Sequence, residues 1–463
     1  MVRGEPFLAR MAPSRNKRFL LFLIISFAWT TWNTDKFAAE GRKGVGPGNQ
    51  DWGYVTVRPN AHMFWWLHYT TADVSHFTDR PLILWLQGGP GMPSSGYGNF
   101  LEIGPVDLEL NEREHSWVKD FNILFIDNPV GVGFSYISNN ATPMVTNNVE
   151  IGKDLVELLR VLLDRFDDFK TIPMYIFGES YGGKMTVEFA LQIHKEIGQG
   201  KLRANLQGIG LGDSYISPID YIMNYAPYAL NLGMVDRHGF KVIDDLAKQI
   251  RVLISRGDYV EASKVESKIT DAVIEYTEGI DIYNILFHSN RTSLPRFLSY
   301  QDNCNEFMNG HIREALNISK EVEWSFINDD IYSSLYGDLI KPVTKTVEEI
   351  LNNTDIKVIV YNGMFDFIVN TPGTANWLDN LNWEGKERWR KTLQESFEIG
   401  TVHEGYMKRV DNLVFYTVLR AGHSVPIDNV VAMEEILSRE LLTSSPAFES
   451  KLSRIHFADP WRI

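Results

Sequence analysis

Hydrophobic positions along the chain fall into two rhythms. Short apolar runs recur at Leu82-Ile-Leu-Trp-Leu86, Asn122-Ile-Leu-Phe-Ile-Asp127, Met174-Tyr-Ile-Phe177, Leu206-Gln-Gly-Ile-Gly-Leu211, Lys357-Val-Ile-Val-Tyr361 and Leu413-Val-Phe-Tyr-Thr-Val418. Runs apolar at both odd and even positions suit strands covered on both faces, as in a parallel sheet. Between the first four lie segments of helical period, with Ile151, Leu155, Leu158, Leu159 and Leu162 on one face of about 148–166, and another helix from Lys184 to about Ile197. This alternation predicts an α/β fold, with a mainly parallel central sheet and helices on both faces. Ahead of it, 36–50 is Gly-rich and loose, and Tyr54–Arg58 and Ala61–Tyr69 flank Pro59-Asn60 as a hairpin. From Ile219 to about Ile340 the rhythm changes. Val242–Arg256 and Tyr259–Thr277 have helical period, and no strong apolar strand separates them. The stretch 219–340 therefore reads as a helical cap inserted between two core segments, 34–218 and 341–463.

At 463 residues the chain can hold one large domain with an insertion, or two to three small ones. A net charge of −14 excludes nucleic acid as a partner, since phosphates would repel the surface. Arg15, Lys17 and Arg18 precede an apolar run from Phe19 to Trp29, which fits a secretory signal peptide over about 1–33. The alternative is an uncleaved signal anchor; once the signal is removed, no membrane association is expected. Asn140, Asn290, Asn317 and Asn352 each begin an Asn-x-Ser/Thr acceptor site, which suits a glycosylated protein of the secretory pathway, either secreted or in a lysosomal or vacuolar lumen. Cys304 is the single cysteine, so no intrachain disulfide forms and the thiol reads as structural or surface-lying.

The candidate chemistry centres on Gly178-Glu-Ser-Tyr-Gly182, which lies between an apolar run and a helix-like segment. Gly-x-Ser-x-Gly is short enough to arise by chance, so its setting carries the weight. Strand, tight turn and helix in that order make a nucleophile elbow, which lifts a serine hydroxyl clear of the sheet. Such a serine needs a base, and the base needs an orienting acid. Both follow in the order expected of an α/β-hydrolase. Asp366 comes after the Lys357–Tyr361 run, and His423 after the Leu413–Val418 run. Ser180, Asp366 and His423 are thus the candidate catalytic triad. Backbone N–H groups of Tyr181 and Gly89 are the candidate oxyanion donors, Gly89 because the Gly88-Gly89 pair ends the Leu82–Leu86 run. His403-Glu404 has no second histidine at zinc-site spacing, and no metal or organic cofactor is implied.

Five ordered motifs carry a family resemblance from about Asp51 to Met433. Trp85-Leu-Gln-Gly-Gly-Pro-Gly91, Glu102-Ile-Gly-Pro105, Asp127-Asn-Pro-Val-Gly131 with its continuation to Tyr136, Gly178-Glu-Ser-Tyr-Gly-Gly183 and Ala421-Gly-His423 with Val425-Pro426 resemble those of serine carboxypeptidases. That is the group of carboxypeptidase Y and cathepsin A. Gln87, Gly96-Tyr-Gly-Asn-Phe100 and Tyr361-Asn-Gly363 most resemble its retinoid-inducible serine carboxypeptidase branch. The resemblance implies removal of single residues from peptide or protein C-termini through an acyl-enzyme, with an acidic optimum, by a monomer or homodimer. It also implies that Trp85, Gln87, Gly88, Glu102 and Glu179 hold the substrate's terminal carboxylate. Ionised glutamates would repel that group, whereas a confined pair has one pKa raised and can donate hydrogen bonds in mild acid. The sequence departs from the family pattern at Met92-Pro93-Ser94, at Met364 and in lacking disulfides. Two other readings stay open: an acyltransferase using the same triad, and a non-catalytic protective or binding protein that retains the fold.

Overall fold

The computed structural model describes residues 41–139, 141–288 and 296–442; the expected signal segment 1–33, Asn140 and Asn290 lie outside them. In chain order the strands are β1 (Gln50–Arg58), β2 (Ala61–His68), β3 (Leu82–Leu86), β4 (Asn122–Ile126), β5 (Tyr136–Ile137), β6 (Met174–Glu179), β7 (Leu206–Gly212), β8 (Lys357–Gly363), β9 (Glu395–Ile399), β10 (Val402–Val410) and β11 (Leu413–Val418). They form one sheet in the order β1-β2-β4-β3-β6-β7-β8-β11-β10-β9, with β5 paired to β2. From β4 to β11 all neighbours are parallel. The antiparallel hairpins β1–β2 and β9–β10 close the two edges.

The apolar runs fold this way because alternate residues serve opposite faces. Leu82, Leu84 and Leu86, with Met174 and Ile176, pack into the layer that holds Ile151, Leu155, Leu158 and Leu159 of the helix Asn148–Arg165 and Met185 and Phe189 of the helix Tyr181–Gly198. Ile83 and Trp85, with Tyr175 and Phe177, pack into the other layer, with Trp117, Met433 and Ile436. Each large side chain so buried contributes about 1.5–3 kcal/mol.

Among the described residues, the chain between β7 and β8 adds no strand to the sheet. It begins with the helix Pro218–Asn231 and continues through Arg237–Arg256 and Tyr259–Tyr276, close to the periods read from the sequence. The helix Arg237–Arg256 starts at Asp236, whose carboxylate accepts from the N–H groups of His238 and Gly239, and stops at Gly257 with φ +80°. The hairpin β9–β10 and the short β5 have no counterpart in the sequence reading. β9 buries only Phe397 and Ile399 and β10 is largely polar, so neither edge strand makes the apolar run that marks a central one.

Candidate active site

Ser180 sits between β6 and the helix Tyr181–Gly198 at φ 59°, ψ −124°, a conformation costing a non-glycine residue of order 1–3 kcal/mol. The surroundings hold it there. Its N–H donates to Gly212 O at 3.1 Å, and its carbonyl accepts from Gly183 N at 3.1 Å and Tyr215 N at 2.9 Å. The turn is tight enough that a Cβ on Gly182 would lie 2.2 Å from Leu86 O, and one on Gly88 would lie 2.7 Å from Ser180 Cβ. Gly88 therefore lets the β3 loop reach the serine.

Asp366 follows the carboxyl end of β8, and His423 follows that of β11. His423 Nδ1 lies 2.7 Å from Asp366 Oδ2, and Asp366 Oδ1 accepts from Val369 N at 3.0 Å. Asp366 is buried and His423 only 7% exposed, so water does not compete for this pair. The His423 backbone N–H donates to Tyr283 O at 2.7 Å, and the Tyr283 ring meets the imidazole edge-on at 5.0 Å. Ser180 and His423 line one cavity of about 410 Å³, with Gly88, Gly89 and Glu179.

Gly89 adopts φ +108°, which needs glycine. It lies on the cavity wall. Tyr181 N–H stands in the first turn of its helix, where the backbone has no intrahelical acceptor. The Gly88–Gly91 loop is held from the far side: Asn328 N donates to Gly91 O at 3.0 Å, and its side chain donates to Gly131 O at 2.7 Å. At the sequence departure Met92-Pro93-Ser94, Ser94 Oγ accepts from Gln87 N and donates to Trp85 O, both at 3.1 Å.

The five residues expected to hold a carboxylate form a layered wall. Gln87, Gly88 and Glu179 face the cavity. Trp85 stands behind them and donates from Nε1 to Gln87 Oε1 at 2.7 Å, and Glu102 is buried beside Glu179. Glu179 Oε1 accepts from Gln87 Nε2 at 3.3 Å and Ser424 Oγ at 3.1 Å. Both Glu102 oxygens and Glu179 Oε2 are buried without such a donor. Burial raises the Glu102 carboxyl to about 7. Burial first, and then the neighbouring Glu102, push the Glu179 carboxyl well above the carboxylate range. The pair therefore holds protons in mild acid and can donate them in hydrogen bonds.

Three residues at the site escaped the sequence reading. Ser424, next to His423, orients Glu179. Tyr283 comes from the helical segment and braces the histidine. Asp213, directly after β7, lies with Asp366 and His423 in one buried cluster whose nearest ligand atoms are all within 4.8 Å. A signal for Asp213 was present: it follows a central strand's carboxyl end, where the other loop residues of the site also fall. Cys304 is buried away from the cavity lining, its thiol raised to about 12 by burial. Asn317 and Asn352 are exposed.

A serine on a strained strand-to-helix turn, with an acid–histidine pair carried on later strands of a parallel sheet, defines an α/β-hydrolase. The fold is similar to that of KEX1(delta)p, a prohormone-processing carboxypeptidase from Saccharomyces cerevisiae. The TM-score is 0.73 at 22% identity, over 87% of this chain and 91% of that one. Residues 42–442 match the family described as Serine carboxypeptidase. Retinoid-inducible serine carboxypeptidase of Mus musculus is 36% identical over 406 residues, 82% of this chain and 89% of that protein. Serine carboxypeptidase-like 51 of Arabidopsis thaliana is 34% identical over 437 residues, 88% and 94% of the two chains. The chain belongs to the serine carboxypeptidase family, which makes it a hydrolase of peptides. No helix of the described residues is long and apolar enough to cross a membrane.

Proposed function

We propose that the cavity removes single residues from peptide C-termini through an acyl-enzyme on Ser180, and does so best in mild acid. The observation that carries this reading is the pair of buried, proton-holding carboxyls, Glu102 and Glu179, on the wall beside the nucleophile. Ser180 Oγ attacks the last peptide carbonyl while His423 takes its proton, and Asp366 keeps the imidazole's Nδ1 as a donor. The N–H groups of Gly89 and Tyr181 receive the oxyanion. His423 then returns the proton to the departing amine, and a water activated by the same imidazole hydrolyses the ester. Gln87, Gly88 and Glu179, backed by Trp85 and Glu102, hold the terminal carboxylate. We read 219–340 as a cap over a core of 34–218 and 341–463. Asn140, Asn290, Asn317 and Asn352 are read as glycan acceptors, and the location as secreted or lysosomal.

The test is release of the last residue from an N-blocked dipeptide by the purified chain, with Ser180→Ala alongside and a serine-directed fluorophosphonate as active-site label. The reading expects Ser180-dependent release and a label on Ser180. Labelling without hydrolysis, accompanied by ester or amide products when an alcohol or amine acceptor is supplied, would replace it with acyl transfer. Neither labelling nor release would leave a binding protein.

A further inference from the structure

Asp213 is fully buried and follows β7 in a left-handed conformation, φ 39°. Its Oδ1 accepts from Asn362 Nδ2 and Gly363 N, both at 2.9 Å. Its Oδ2 is buried with no donor in reach. The titratable groups around the carboxyl are Asp366, His423, Glu179 and Tyr361, and of these only His423 can carry positive charge. Asp366 is the better supplied acid, because it faces His423 Nδ1 and accepts from Val369 N. Two carboxylates this close in a dry site cannot both be ionised cheaply, and the one with the poorer set of donors takes the proton.

We propose that Asp213 is a positioning residue for the triad: a neutral acid whose Oδ2–H donates to the Asp366 carboxylate and fixes it against His423. The unpaired Oδ2 is then the protonated oxygen. Burial, the Asp366 charge, and the hydrogen bond to Asp366 all push the Asp213 carboxyl well above the carboxylate range, outweighing the Gly363 N–H that opposes them. The proposal rests on the triad reading above but does not depend on the substrate.

Asp213→Asn is the deciding variant. An amide puts its oxygen where Oδ1 accepts and its NH2 where Oδ2–H donates, and asparagine tolerates positive φ as aspartate does. The measurement is the rate of Ser180 labelling by a fluorophosphonate against pH on the full chain. This rate needs the triad but not the Glu102–Glu179 wall. The expected result for D213N is an acidic midpoint within about 0.3 pH unit of the parent and a rate within about threefold. D213A, checked for its fold by near-ultraviolet circular dichroism, labels at least about tenfold more slowly. Where D213A does not fold, D213N still decides.

A fall of about one pH unit or more in the D213N midpoint would mean that an anion had been removed, and would overturn the proposal. A folded D213A that labels like the parent would overturn it too. So would loss of labelling in EDTA that a divalent cation restores, since the two carboxylates would then hold a metal. An unlabelled parent would bring down the triad reading and this proposal together. A labelled parent that trims no peptide would remove only the substrate reading.

Discussion

In the proposed mechanism Glu179 and Glu102 set the chemistry of substrate recognition, and burial is the largest cause of their raised pKa values. As the pH passes about 7, Glu102 ionises and places a negative charge behind Glu179, next to the proposed position of the terminal carboxylate. KM should therefore climb above that pH, toward about tenfold per unit, with kcat changing less. The double variant E102Q/E179Q has nothing left to titrate there, so its KM should be higher in acid yet flat from pH 5 to 8; steady-state kinetics across that range would show it. A variant that kept the parent's slope would assign the pH dependence elsewhere. Close packing gives a second residue-scale expectation. Gly88→Ala would place a methyl 2.7 Å from Ser180 Cβ and 2.8 Å from Glu179 O, neither of which can move without disturbing the elbow. Thermal unfolding should report about 1–3 kcal/mol of lost stability. Displacement of Ser180 should also lower kcat about 100-fold. At this scale the placement of Ser180, Asp366 and His423 was legible because each follows a recognisable apolar strand. Ser424 was not, because its contact with Glu179 joins distant parts of the chain, and Asp213 had only its place directly after β7 to mark it.

The central strands and the two long helices of the first core half were readable as elements, since a strand buried on both faces writes an unbroken apolar run. The β9–β10 hairpin was hidden, because β9 spends three of its five positions on exposed polar side chains. The attachment of the helical segment to the elbow was hidden as well, and it rests on one buried cation. Lys184 Nζ, on the helix that Ser180 starts, donates to the carbonyls of Asp338 at 2.5 Å, Leu339 at 2.9 Å and Lys341 at 2.7 Å. Asp338 Oδ2 in turn accepts from Tyr181 OH at 2.9 Å and Asn148 Nδ2 at 2.5 Å. Lys184→Met keeps the apolar stem but leaves three buried carbonyls without a donor and the Asp338 carboxylate without its cation. The expected loss is about 3–5 kcal/mol by denaturant unfolding. A change below about 1 kcal/mol would show that the contact does not hold these elements together.

Across the whole molecule, several buried acids share one direction of shift. Burial raises Glu102 and Glu266 to about 7, from 4.5, and Asp127 to about 6, from 3.8. An acid raised in the folded state is bound to its proton there after the unfolded chain has released it. Its stabilising effect is complete below the unfolded pKa and is lost as the pH climbs to the folded value. Stability should therefore decline between about pH 4.5 and 7, by several kcal/mol, since acids lowered in the folded state, such as Glu440, are already ionised in both states there and leave the slope unchanged. A melting temperature that falls over this window would agree, and one that rises would contradict the assignment. The proposed site shares this acid bias. The most direct measurement is kcat/KM for one blocked dipeptide as the free acid and as the C-terminal amide, from pH 4 to 8. The account predicts a strong preference for the free acid in mild acid that shrinks as the pH passes about 7. Equal cleavage of acid and amide at every pH would contradict it, because the Glu102–Glu179 wall would then have no part in choosing the substrate.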